Sequence, residues 1–225
     1  MKRFKTNLPI IVSSLILIPS LIANLYFYQQ AKDRQHLYTV KEVIDGDTLV
    51  LEDDIIVRLF RINAPELDSC GGPQAKDYLD KLVTNQQVSI QNQYRDQYGR
   101  LMALVFLKDK QLVNGLILKA GWARYDEVNF EYHQQLNDLQ KQAEQNQIGI
   151  FSPLCKQFTN PNNPDCTIKG NVSKTDNKKT YHFPGCGRYQ DIPIELDLGD
   201  QWFCTEQEAK KAGFTKSKNC FDKTY

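Results

Sequence analysis

Between residues 45 and 100 the chain gathers side chains suited to cutting a phosphodiester. Asp45 and Asp47 flank Gly46, a residue type that lets the backbone turn sharply and aim both carboxylates at one spot. Arg58, Asn63, Ala64 and Glu66 follow within Arg58-Leu59-Phe60-Arg61-Ile62-Asn63-Ala64-Pro65-Glu66. A third segment, Asp96-Gln97-Tyr98-Gly99-Arg100, adds another arginine in a turn. Phosphodiesters resist attack because the phosphate is anionic and the leaving alkoxide is poor. A hard cation on oxygen donors meets the first difficulty as a Lewis acid. Guanidinium forks donate to phosphate oxygens, with most effect where charge builds in the transition state. A carboxylate such as Glu66 orients or deprotonates the attacking water. Read singly, the same residues have plainer roles. Asp45-Gly46-Asp47 is also a hairpin turn, Arg58 a strand residue covering apolar surface, and Arg100 a turn arginine paired to Asp96.

These residues need elements to position them. Strand-like runs cover residues 38–44, 48–51 and 55–62; in the last, alternation puts Phe60 and Ile62 on one face and Leu59 on the other. Apolar spacing over residues 74–84 predicts a helix. Residues 87–93 and 101–107 read as strands joined by the turn at 96–100. A second helix carries Leu112 to Ala120 and ends at Gly121; a third spans residues 131–147 and ends at Gly149. This order suits a small β-barrel with helices packed outside.

The three motifs, in this order and spacing, resemble the staphylococcal nuclease-like (thermonuclease) family over roughly residues 38–152. The resemblance implies a mainly β fold with α: an OB-type five-stranded barrel with three helices. It implies Arg58, Glu66 and Arg100 as catalytic residues. It also implies a metal site made by Asp47, the side-chain carbonyl of Asn63 and the backbone carbonyl of Ala64, with Asp45 in support. All these donors are oxygens and no Cys or His lies in the motifs, which favours Ca2+ over zinc. The family usually has Asp where this chain has Asn63; its threonine at the Ala64 position acts through the main chain, which alanine keeps. Tyr98 and Tyr125 are candidates to stack on a base or sugar, against a plainer role in packing. The implied function is a calcium-dependent endonuclease of low sequence specificity acting on DNA, with RNA an open second substrate. The rival is a catalytically weak or inactive nucleic-acid-binding module on the same scaffold. A third reading is an envelope interaction protein whose tail docks a partner.

The 225 residues suffice for one medium domain and a small one. The net charge of +1 divides unevenly: +3 before Lys32, −4 from Lys32 to Cys155 and +2 after Thr167. A binder relying on phosphate neutralisation alone would be basic, so the acidic middle needs a few placed cations and a metal instead. Residues 1–31 read as a membrane anchor. Lys2, Arg3 and Lys5 precede an apolar run from Leu8 to Tyr28, about as long as a membrane-spanning helix requires. The basic flank predicts a cytoplasmic N-terminus and a nuclease domain outside the cytoplasm. A cleaved signal segment with secretion is the alternative.

Residues 36–154 form the barrel domain, 155–166 a Pro/Asn-rich linker and 167–225 a small Cys/His-containing α+β module. An even count of six cysteines in an exported chain suggests disulfides, with Cys155–Cys166 the best pair and Cys70 open. The tail resembles a small module found behind such nucleases and the metal-binding region of DNA-repair methyltransferases of the Ada type. His182, Cys186, Cys204 and Cys220 could then hold Zn2+, or the cysteines could pair as disulfides.

Overall fold

The computed structural model of the chain describes residues 20–24, 26, 28, 36–220 and 223–225. Strands β1 (Tyr38–Val43), β2 (Thr48–Leu51), β3 (Ile56–Leu59) and the two-residue β4 (Ile62–Asn63) come first. Helix α1 (Gly72–Val83) leads to β5 (Gln87–Arg95) and β6 (Leu101–Leu107). Strands β1, β2, β3, β6 and β5 close into a barrel in that order. All neighbours are antiparallel except β3 and β6. This is the expected five-stranded barrel. Leu49, Leu51, Val57, Leu59, Val88 and Val105 fill it, fully buried. Helices α1, α2 (Val113–Lys119) and α3 (His133–Gln145) add Leu79, Ile117 and Leu136 to the same core.

The strand expected over 55–62 is broken. β3 stops at Leu59, Arg61 takes the left-handed conformation with φ 60°, and the chain restarts as β4 against β7 (Arg124–Tyr125). That residue resets the alternation. Leu59 and Ile62 are both buried and Phe60 is left half-exposed, so the expected grouping of Phe60 with Ile62 is wrong. The break carries Asn63 and Ala64 off the barrel wall.

Asn114 secures this region. It is fully buried in α2, accepts from the Val105 N–H at 3.0 Å, and donates to the carbonyls of Phe60 (3.1 Å) and Ala103 (3.3 Å). One amide thereby joins the helix to β6 and to the end of β3.

The C-terminal part holds β8 (Lys156–Gln157), β9 (Ile168–Val172), β10 (Lys179–His182), β11 (Ile194–Glu195), β12 (Gln201–Phe203), α4 (Glu206–Lys211) and β13 (Thr215–Lys216). A sheet ordered β12-β9-β10-β13 covers a second core of Ile168, Tyr181, Phe183, Phe203 and Phe214. Thr205 and Glu208 form a capping box that starts α4. Within residues 155–166, read above as linker, β8 pairs with β11. Residues Tyr38–Tyr225 form one compact unit.

The expected Cys155–Cys166 bond does not form. Cys70 pairs with Cys155, Cys166 with Cys204, and Cys186 with Cys220. Sequence proximity misled, because the fold carries Cys155 to the loop before α1. The zinc reading of His182, Cys186, Cys204 and Cys220 falls with this: all three sulfurs are in disulfides, and Cys204 is bonded outside the proposed set. Among the described residues no group of three or more His, Cys, Asp or Glu side chains could hold a metal ion. The anchor expected over residues 1–31 lies mostly outside the described residues, and among those described no helix is long and apolar enough to cross a membrane.

Asn114→Leu would strip partners from one buried N–H and two carbonyls. We expect a loss of about 3 kcal/mol or more, read by urea unfolding with unchanged slope. A loss below about 1 kcal/mol would show that the amide is not the tie between α2 and the barrel.

Candidate active site

Asp47 is the centre of the site. It follows β1, is only 2% exposed, and its main-chain carbonyl takes the Leu59 N–H at 2.8 Å. One carboxylate oxygen accepts from Thr48 Oγ1 at 2.9 Å and from the Arg58 guanidinium. The other accepts from the Ala64 N–H at 2.9 Å. The second Nη of Arg58 donates to Asn63 Oδ1 at 3.0 Å. So one guanidinium bridges the Asp47 carboxylate and the Asn63 amide oxygen. Asp45 accepts from the Asp47 N–H at 3.0 Å and fixes the turn.

Small residues make this closeness possible. A Cβ on Gly46 would lie 2.5 Å from the Ala64 Cβ and 2.6 Å from the Ala75 Cβ on α1. Gly46 is required for space, rather than for an unusual φ as its turn position suggested. Gly72 has the same kind of role: a Cβ there would lie 1.9 Å from the Glu66 carbonyl oxygen. The loop bearing Glu66 therefore rests directly on the start of α1, and Cys70–Cys155 ties it down.

Burial pushes the Asp47 carboxyl up to about 6; Arg58 opposes this and Asp45 adds to it. Asp47 and Asn63 set a carboxylate and a neutral amide oxygen on one guanidinium, oxygen donors of the kind a hard cation takes. Asp47, Asn63, Ala64, Arg58 and Asp45 are thus brought together as expected from the sequence. Glu66 lies on the adjoining exposed loop, and its carboxylate bonds to no described residue.

Arg100 is placed differently. Its Nε donates to Asp96 at 2.8 Å, the turn pairing that the plainer reading gave it, and its guanidinium lies 5.3 Å from the Tyr98 ring centre. It precedes β6, whose Met102 is the partner of Arg58. Tyr98 is 73% exposed and open to a ligand. Tyr125 is not: it is 6% exposed, with its hydroxyl on the Val128 carbonyl at 3.0 Å and His133 Nδ1 at 3.1 Å. It packs the junction of β7 and α3, so the stacking role is withdrawn.

Residues 56–153 match the model of the staphylococcal nuclease homologue family. The chain is 33% identical over 131 residues to a thermonuclease of Staphylococcus intermedius, covering 52% of this chain and 77% of that protein. The family is settled by that match. The chain belongs to the staphylococcal nuclease homologues. A thermonuclease of Staphylococcus hyicus is 29% identical over 174 residues, covering 68% of this chain and 99% of its own. An uncharacterized endonuclease of Escherichia coli is 33% identical over 118 residues, covering 50% and 75%. The chain is accordingly an enzyme of the nuclease class.

The nuclease holds a further residue at the edge of this site. Arg124 on β7 is the direct cross-strand partner of Asn63. It forks onto Asp197 at 2.8 and 3.1 Å and reaches Glu195 at 3.2 Å. Lys174 pairs with Glu195 at 3.1 Å. The C-terminal part therefore grips the ribbon that carries Asn63. Nothing in the sequence marked Arg124, because its partners lie about seventy residues on.

Arg124→Leu leaves the buried Asp197 without its fork and the half-buried Glu195 with Lys174 alone, and we expect a loss of about 3 kcal/mol or more. Burial alone would raise the Glu195 carboxyl; Arg124 and Lys174 outweigh it and hold the group below its ordinary value. A depressed folded value means that the stabilisation is complete above the unfolded value of about 4.3 and is lost as pH falls through the folded one. Thermal melts against pH should show this acid loss in the wild type and a flatter profile in the variant. Equal profiles would remove the pair from the account.

Proposed function

We propose that this nuclease is a calcium-dependent endonuclease that cleaves DNA, and RNA as a second substrate, with low sequence specificity. The carrying observation is the buried Asp47 carboxylate joined through Arg58 to Asn63, with the Glu66 loop beside it. Asp47, the Asn63 amide oxygen and the Ala64 peptide oxygen would hold the cation. When bound, it supplies Lewis-acid activation of the phosphate. Arg58 uses two of its nitrogens on Asp47 and Asn63. Its remaining N–H groups can meet a phosphate oxygen, and the fork is held rigid by the two bonds it already makes. Glu66, exposed and unbonded among the described residues, can orient a water and take its proton. Arg100 adds a second fork from the turn before β6 once it leaves or shares Asp96.

We place the nuclease domain outside the cytoplasm, anchored by the N-terminal apolar segment. Three disulfides within Tyr38–Tyr225 support an oxidising compartment, and the basic residues ahead of Leu8 support the orientation. Such a compartment supplies calcium to a site with one buried carboxylate.

Arg58→Lys keeps the charge and loses the fork. Cleavage of DNA in calcium should fall by about 10²-fold or more, and Glu66→Gln should cost at least as much, with melting temperatures little changed. Near-wild-type cleavage in both would remove these roles. Undiminished cleavage in chelator would remove the calcium dependence, and binding without any cleavage would favour the inactive module.

Asn63→Asp adds a charge to the cation's ligands at the same place. Calcium should bind roughly tenfold tighter, about 1.4 kcal/mol, in calorimetry and in the calcium dependence of cleavage. An unchanged midpoint would mean that Asn63 is not a ligand.

A further inference from the structure

We propose that the Cys70–Cys155 bond is a latch that places Glu66 for catalysis, so that the nuclease works at full rate only when this bond is oxidised. The inference rests on the nuclease reading and deepens it: the two cysteines are positioning residues, and their disulfide gates the same site.

The span around Glu66 is held at two points. Ala64, two residues before Glu66, gives its N–H to Asp47 at 2.9 Å. Cys70, four residues after it, is bonded to Cys155. Between these points the backbone hydrogen-bonds only within the loop and to the start of α1. The Ser69 N–H donates to the Glu66 carbonyl at 2.9 Å, and the Gly72 N–H to the Ser69 carbonyl at 3.0 Å. Glu66, Leu67 and Asp68 are exposed, and among the described residues their side chains make no hydrogen bond or ion pair. The bare backbone of Gly72 beneath the Glu66 carbonyl gives contact without a side chain to grip it.

The other end of the bond is firm. Cys155 is fully buried with Ala143, Ile150 and Phe151, and its carbonyl accepts the Leu196 N–H at 2.8 Å. A Cβ on Gly71 would lie 2.7 Å from Ile150 Cγ2, so the loop meets this cluster at backbone distance. The bond thus fastens an exposed loop bearing the general base to a buried cluster 85 residues away in the chain. Position decides what such a base achieves, because a misplacement of about 1 Å costs on the order of 10²-fold in rate.

The burial of the two sulfur-bearing residues sets the order of the chemistry. Cys70 is half-buried and Cys155 fully buried, so a disulfide oxidant meets Cys70 first. The Cys70 thiolate attacks one sulfur of the oxidant, and the other sulfur leaves and takes up a proton. The Cys155 thiolate then displaces the second oxidant thiol, and the Cys70–Cys155 bond forms. Two protein thiols are oxidised and one oxidant disulfide is reduced to two thiols. The latch suits an enzyme made among the cell's own nucleic acid and used outside. In a reducing compartment the chain carries thiols and a Glu66 without its brace; in an oxidising one the bond closes.

The test follows DNA cleavage by the full chain in detergent and calcium, well below the melting temperature of each form. Cys70→Ser removes the bond and leaves the buried Cys155 in its cluster. Its kcat should fall by about tenfold or more, with KM and the calcium midpoint little changed. Dithiothreitol should bring the wild type to the same level, glutathione disulfide should restore it, and neither should move Cys70→Ser. The Glu66→Gln background separates positioning from stability: with no base to place, Cys70→Ser should cost nothing further there. If Cys70→Ser does not fold, wild type and Glu66→Gln under dithiothreitol give the same comparison. Equal kcat in the oxidised wild type and in the form without the bond overturns the latch. So does the same loss in the Glu66→Gln background, which makes the bond merely structural. An equal response of wild type and Cys70→Ser to dithiothreitol also overturns it, by moving the effect to another bond. Those results leave the nuclease reading standing, whereas cleavage in neither redox state overturns that reading and the latch with it.

Discussion

The structure depends on burying one carboxylate. Removing Asp47 from water is costly unless its oxygens find donors, and the donors come from three separate places. Thr48 is the next residue, Arg58 comes from β3, and the Ala64 N–H comes from beyond β4. Meeting them draws the end of β1, the strand β3 and the β4 ribbon to one point. Gly46, Ala64 and Ala75 are small because that point is crowded. Burial still outweighs these donors, which is why the Asp47 value is raised.

The motifs were legible because each consists of residues doing local work. The Asp45 carboxylate caps the Asp47 N–H two residues on, and Asp96 does the same for Tyr98 and Arg100. Such short-range chemistry leaves fixed spacings in a sequence. What was misread depends on long-range placement. The break at Arg61 follows from the pairing of β4 with β7, sixty residues away, and periodicity in 55–62 gives no sign of it. Tyr125 looked like an aromatic available to substrate until α3 supplied His133 as its hydroxyl partner. Cys155 sits eleven residues before Cys166 yet bonds Cys70, eighty-five residues back. Asn114 did leave a trace, a lone amide in an otherwise apolar helix face, and its burial with three backbone partners gives the reason.

The C-terminal part is bound into the same economy of buried charge. Arg124 satisfies Asp197 and Glu195 while standing opposite Asn63. Cys155, bonded to the Glu66 loop through Cys70, also accepts the Leu196 N–H at 2.8 Å. Both site-bearing segments are therefore tied to the stretch between β8 and β12. Within that stretch Lys169 is fully buried, its ammonium on the carbonyls of Tyr189 (3.0 Å) and Ile192 (2.7 Å) and near the Tyr189 ring. Burial lowers its value, and its ammonium is held by the two carbonyls. Two disulfides and this lysine cross-link the small module, and Arg124 joins it to the ribbon carrying Asn63.

The placement of Asn63 matters because the site has so little charge to spare. With Asn63 in place of a carboxylate, the Asp47 oxygens are the only anionic ligands in the expected metal set, and Arg58 already claims one of them. A guanidinium and a divalent cation must then share one carboxylate, and small displacements decide how the sharing falls. Arg58 already bridges Asp47 and Asn63 in the structure, so a cation entering here would have to share those oxygens with it. The fork at Arg124 stands directly across from Asn63, and the Cys70–Cys155 bond fastens the Glu66 loop, so both bear on the geometry over which the one buried negative charge of Asp47 is divided.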